Sequence, residues 1–116
     1  MKKANRYAPE RGDIVWLNFT PQSGREQAGK RPALVISPKS YNQKVGLAVC
    51  CPITSNAKGY PFEVALPAGL PVEGVVLSDH LKSLDWRTRR ASFQARVSRT
   101  VLNEVMNRVS ALLLDV

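Results

Sequence analysis

The chain has 116 residues, 44% of them hydrophobic, and sets 17 Lys and Arg against 9 Asp and Glu for a formal charge of +8. That length suits one domain over residues 1–116 with a modest core, and no run approaches the roughly 20 apolar residues that cross a bilayer. The charged start, Met1-Lys2-Lys3-Ala4-Asn5-Arg6, leads into no apolar stretch, so neither a secretory leader nor a membrane role is expected and a cytoplasmic location is. The cation excess asks for a polyanionic partner: nucleic acid ahead of an anionic membrane surface, with an acidic protein also possible alongside nucleic acid. By itself the charge can also serve solubility alone.

Residues 13–19 alternate well enough for a first strand, in which Trp16 reads as core. Residues 20–30 hold Pro21, Gly24 and Gly29 among polar and charged side chains, a long loop of the kind that often carries function. A second strand is expected over 33–37, with Pro32 confined to its first residue or to an edge. Residues 38–44 suit a turn or one short helix with Pro38 in its first turn. An apolar strand follows over 45–54, then a loop over 55–61, a strand over 62–66, a turn over 67–71 and a strand over 74–77. Residues 79–84 read as extended, the charged 85–90 as a helical turn and 92–97 as a last strand. Val101, Leu102, Val105, Met106, Val109, Leu112 and Leu113 then fall on one face of a helix that Ser98 can cap. That stripe is core or dimer interface. Short strands with Gly and Pro turns, closed by one helix, predict a mainly β fold with helices (α+β): a small barrel or bent antiparallel sheet plus a C-terminal amphipathic helix.

Several chemistries find no support in the pattern. Cys50 and Cys51 are adjacent in a strand, where neighbours point to opposite faces, and with one His in the chain they make a poor metal pair. They read as reduced, buried small hydrophobes. No Gly-rich phosphate loop follows a strand, and no Ser stands in a nucleophile elbow. The carboxylates are scattered, whereas a two-metal nuclease needs several converging on the ions. No cofactor or metal is expected.

Metal-free cleavage of nucleic acid points to RNA, which carries its own nucleophile in the 2′-hydroxyl. The enzyme must supply a base, positive charge at the phosphate and an acid for the leaving 5′-oxygen. The run Gly24-Arg25-Glu26-Gln27-Ala28-Gly29-Lys30-Arg31-Pro32 holds one carboxylate, three cations and two glycines. Glu26 can take a proton, and Arg31 offers a planar, permanently charged fork. Read from pattern alone, the same run also fits a solvated loop with a surface Glu–Arg pair.

The chain resembles the MazF/PemK toxin family along nearly its whole length. The resemblance rests on Arg11-Gly12-Asp13-Ile14-Val15-Trp16, on Glu26 through Pro38, on Pro52-Ile53-Thr54, on Lys58 through Val64 and on Asp79 through Arg87. It implies an SH3-like barrel acting as a homodimer, and sequence-specific, metal-independent cleavage of single-stranded RNA, mostly messenger RNA, to a 2′,3′-cyclic phosphate and a 5′-hydroxyl. It also implies an acidic MazE-like antitoxin whose flexible segment occupies the RNA channel. The family's acid, arginine and threonine fall on Glu26 (general base), Arg31 (charge on the phosphate) and Thr54 (hydrogen bond to a phosphate oxygen). Many relatives have Ser where this chain has Arg25 and Gln where it has His80, so His80 either serves as an acid or replaces a hydrogen-bonding Gln. A Kid/PemK-like subgroup uses an Asp that matches Asp79, but its arginine position is Leu77 here. Arg25, Lys30, Lys58 and Tyr60 are candidate RNA contacts, as is Arg87, which heads a cation cluster with Arg89 and Arg90. Trp86 is open to packing, dimer contact or RNA stacking. The alternative to an enzyme is a gyrase poison like the CcdB toxins, whose gyrase contact rests on a C-terminal Trp-Gly-Ile; this chain ends Leu114-Asp115-Val116.

Overall fold

Alternating burial organises the chain. The computed structural model describes residues 7–19 and 29–114. Its strands are β1 (Asp13–Asn18), β2 (Lys30–Val35), β3 (Leu47–Thr54), β4 (Glu63–Ala65), β5 (Val75–Leu77), β6 (Lys82–Asp85) and β7 (Ser92–Arg96), with helices α1 (Lys39–Val45) and α2 (Arg99–Leu114). The strands form one antiparallel sheet in the order β4-β5-β3-β2-β1-β7, with β6 paired to β3 off this path. The long strand β3 changes neighbours along its length: Leu47–Cys50 pair with β6, and Ile53 and Thr54 pair with β5. The sheet therefore bends around β3, as the bent-sheet expectation requires.

Successive side chains on these strands enter two different cores. Ile14, Leu34, Cys51 and Ile53 join one cluster, whereas Val15, Leu17, Ala33, Val35 and Cys50 join the other. Both faces of the central strands are thus covered, and the two thiols are free and point into separate interiors. Burial pushes each thiol up from 9.0 to about 12, so both are held as small neutral groups.

Helix α2 closes the first core with Val101, Val105 and Val109, one turn apart. It begins where the Ser98 hydroxyl accepts the Val101 N–H at 3.2 Å. The far end of the apolar stripe is not core in the single chain: Leu112 and Leu113 are 42% and 63% exposed, which leaves the interface reading of that end open.

The second strand starts earlier than its composition suggests. Lys30, Arg31 and Pro32 pair with Asn18, Leu17 and Trp16 of β1, whereas pairing with β3 begins only at Ala33. Pro32 therefore lies where β2 has a neighbour on one side only, and its missing N–H breaks no ladder between β2 and β3. One consequence reaches the site below: Arg31 stands on a strand, not on the loop to which its sequence neighbours assigned it.

Candidate active site

A cleft of about 590 Å³ opens where the end of β3 meets the β5–β6 turn. Arg31 from β2 and Thr54 from β3 line it together with Lys58, Tyr60, His80 and Lys82. Phe19 and Gly29 border it too, and the Phe19 N–H donates to the Gly29 carbonyl at 2.7 Å. Phe19 and Gly29 thus stand at the rim of this cleft. Glu26 and Arg25 lie outside the described residues.

The Thr54 side chain is held by a backbone N–H two residues on. The Asn56 N–H donates to Thr54 Oγ1 at 3.1 Å, which leaves the hydroxyl proton available to an acceptor in the cleft. Gly74 passes close behind. A Cβ there would lie 2.2 Å from the Thr54 carbonyl oxygen, and Gly74 has φ +126°, so only glycine fits. Arg31 is exposed and has no ion-pair partner among the described residues.

The opposite wall is the segment after β3. The Glu63 carboxylate accepts the N–H of Lys58 at 2.9 Å and of Gly59 at 2.8 Å, which folds Lys58 and Tyr60 toward the cleft. Arg108 of α2 donates to the Pro61 carbonyl at 2.9 Å and pins the same segment from outside. The Tyr60 hydroxyl donates to Asp79 Oδ1 at 3.0 Å and lies 3.3 Å from His80 Nε2. Desolvation first, then the acidic acceptor, raises the Tyr60 phenol above its ordinary range. Asp79 Oδ1 is 3.8 Å from His80 Nε2. Among the described residues, no three His, Cys, Asp or Glu side chains converge as a metal site.

The structure therefore brings Arg31, Thr54, Lys58, Tyr60 and His80 into one space, with Asp79 behind Tyr60. Lys30 faces a second cleft of about 400 Å³ that shares Arg31 and Thr54 with the first. Arg31 and Thr54 thus stand on the ridge between two clefts, an arrangement that suits a chain lying across them with one phosphate at the ridge.

Of the readings left open for Trp86, the structure shows packing, and it takes Trp16 out of the core. Trp86 is 6% exposed in the second core, its indole N–H donates to the Asn42 carbonyl at 3.0 Å, and the Arg87 guanidinium covers its ring at 4.5 Å. It offers no ring face to a base, and neither it nor Arg87 borders either cleft. Arg89 likewise turns inward, donating to the carbonyls of Asn18 at 3.0 Å and Phe19 at 2.7 Å at the end of β1. Trp16, read as core, is only half-buried and lines the second cleft. Sequence reasoning also missed Glu63, Gly74 and Lys82. Each lies near a residue it did select, but the contacts that matter are made through the backbone or across strands.

The sequence matches the family model for the PemK-like, MazF-like toxins of type II toxin-antitoxin systems over residues 10–113. The chain is 44% identical over 109 residues to the endoribonuclease toxin MazF of Escherichia coli strain K12, covering 94% of this chain and 97% of that one. It is 36% identical over 108 residues to the endoribonuclease PemK of Escherichia coli, covering 90% and 81%. The crystal structure of MazF from Deinococcus radiodurans superposes with a TM-score of 0.83 at 60% identity, covering 92% of this chain and 97% of that one. A MazE-MazF crystal structure from the same organism gives 0.84 at 55% identity, covering 93% and 97%.

Proposed function

Because the chain belongs to the family of PemK-like, MazF-like toxins of type II toxin-antitoxin systems, we propose that it is a toxin endoribonuclease that cuts single-stranded RNA at specific sequences without a metal. The observation that carries this reading is the meeting of Arg31 and Thr54, from different strands, on a ridge flanked by Lys30, Lys58 and Lys82. Cations on both sides suit a polyanion laid across the ridge.

The reaction proceeds by attack of the 2′-hydroxyl on the adjacent phosphorus. Glu26 takes the hydroxyl proton as general base. Arg31 faces the phosphate with a planar fork whose charge never titrates, so it stabilises the extra negative charge of the transition state. The free hydroxyl proton of Thr54 donates to a non-bridging oxygen. The products are a 2′,3′-cyclic phosphate and a 5′-hydroxyl. RNA lacking its 2′-hydroxyl at the cut cannot react in this way.

The protein acts as a homodimer, and its antitoxin is an acidic, MazE-like protein that lays a flexible segment over the RNA cleft. The formal charge of +8 suits both polyanions. The family match and the relatives favour this reading over a gyrase poison.

The test is incubation of a long single-stranded RNA with the purified protein in EDTA, with product ends mapped by sequencing. Discrete cuts ending in cyclic phosphate support the reading. An intact RNA in the presence of folded protein contradicts it and directs attention to gyrase supercoiling.

A further inference from the structure

Cleavage leaves one requirement without an owner. The departing 5′-oxygen is strongly basic and needs a proton as its bond to phosphorus breaks. Arg31 is a poor donor, because a guanidinium does not give up its proton in proteins. Lys58 and Lys82 line the same cleft, but neither hydrogen-bonds through its side chain among the described residues.

His80 is the held group. Its side chain is 49% exposed toward the cleft, while that of Asp79 beside it is 26% exposed. The Tyr60 hydroxyl commits its proton to Asp79 Oδ1 at 3.0 Å, so the oxygen lone pair that faces His80 Nε2 at 3.3 Å must accept. Nε2 is therefore the N–H nitrogen of the neutral ring, and the second proton of an imidazolium sits on Nδ1. Nδ1 makes no hydrogen bond among the described residues and is free for a substrate. The Asp79 carboxylate, 3.8 Å from Nε2, is an anionic partner for the charged ring.

We infer that His80 is the general acid of the cleavage reaction and that Tyr60 and Asp79 are positioning residues that fix its ring. This inference rests on the ribonuclease reading above. As the 2′-oxygen bonds to phosphorus, its proton passes to the Glu26 carboxylate. As the bond from phosphorus to the 5′-oxygen breaks, its electron pair takes the Nδ1 proton of His80. The enzyme is left with a protonated Glu26 and a neutral His80, and one proton exchanged through water restores both. The other charged groups lining the cleft are Arg31, Lys58, Glu63 and Lys82; Glu63 is occupied by two backbone N–H groups.

The test compares two short RNAs carrying the mapped cut site, one natural and one with sulfur in place of the 5′-oxygen at the cut. A thiolate leaves without being protonated, so the sulfur substrate bypasses any general acid. Single-turnover rates are measured in EDTA for the wild type, His80→Gln and Tyr60→Phe. Gln keeps a hydrogen-bonding group at a half-exposed position, so the fold is retained. The expected result is a loss of about 100-fold for His80→Gln on the natural RNA, the low end of general-acid effects, with wild-type speed on the sulfur RNA. Tyr60→Phe shows a smaller loss that the sulfur RNA also restores. An equal loss on both RNAs, or no loss on either, overturns the inference while leaving the ribonuclease reading intact. A wild-type protein that cuts neither RNA overturns both.

Discussion

A Cβ on Gly74 would lie 2.2 Å from the carbonyl oxygen of Thr54 and 2.7 Å from its carbonyl carbon. The bend before β5 therefore packs backbone against backbone at the residue assigned to the scissile phosphate. Gly74→Ala must push Thr54 away and force a side chain into a conformation that glycine alone tolerates, a strain of about 1–3 kcal/mol. The expected outcome is a lower melting temperature together with cleavage slowed about tenfold or more at temperatures where the variant stays folded. Circular dichroism and single-turnover cleavage measure the two effects.

Glu63 acts at one remove. Its carboxylate accepts two successive N–H groups and so shapes the segment that presents Lys58 and Tyr60. Glu63→Gln keeps one acceptor and turns an amide N–H toward the other donor. The segment loosens, so KM for RNA should rise about tenfold with little change in kcat, in line with the loss of one hydrogen bond to a charged group. A fall in kcat at constant KM would instead place Glu63 in the chemistry.

The buried thiols set a limit at high pH. Their folded-state values are raised from 9.0 to about 12 by burial. A raised value means that stability is complete below the unfolded value and is lost as pH climbs through the folded one. Stability should therefore fall between about pH 9 and 12. A Cys50→Ala, Cys51→Ala double variant should lose less over that window in urea titrations, although it starts less stable because two cavities are opened. In the native wild type both thiols should resist a thiol reagent until the protein unfolds.

The tryptophans give a spectroscopic check. Trp16 borders the second cleft, whereas Trp86 is buried with its N–H on Asn42. Single-stranded RNA should quench the fluorescence of a Trp86→Phe protein and leave that of a Trp16→Phe protein nearly unchanged. The reverse pattern would return the RNA to the Arg87 side of the molecule.

Periodicity made most of the elements legible. Alternation placed β1, an apolar run placed β3, the three-four spacing placed α2, and the adjacency of Cys50 and Cys51 foretold that they enter opposite interiors, as they do. Long-range pairing was the chief thing a local reading could not supply. Lys30, Arg31 and Pro32 look like loop by composition and become strand only because β1 lies beside them. The same gap explains the tryptophans: both sit in or beside strands, and nothing local tells which face meets a cleft. Arg31 stood out in the charged run by its chemistry, whereas Thr54 was named through family resemblance alone, since a lone Thr carries no spacing signal. Gly74 acts by a close approach to the backbone of another strand, and Glu63 by accepting two backbone N–H groups of the loop before it, neither of which has a side-chain pattern to announce it. For the assigned base, Glu26, pattern and resemblance are the guides, as it lies outside the described residues.

In the proposed reaction the substrate's own 2′-hydroxyl attacks the phosphate held by Arg31 and Thr54. The most direct measurement uses a short RNA with one 2′-deoxy nucleotide immediately 5′ to the mapped cut, assayed for binding and for cleavage in EDTA. The substituted RNA should bind about as well as the natural one and should not be cut at that bond. Continued cleavage there, at a rate near that of the natural RNA, would contradict this reaction and require an external nucleophile.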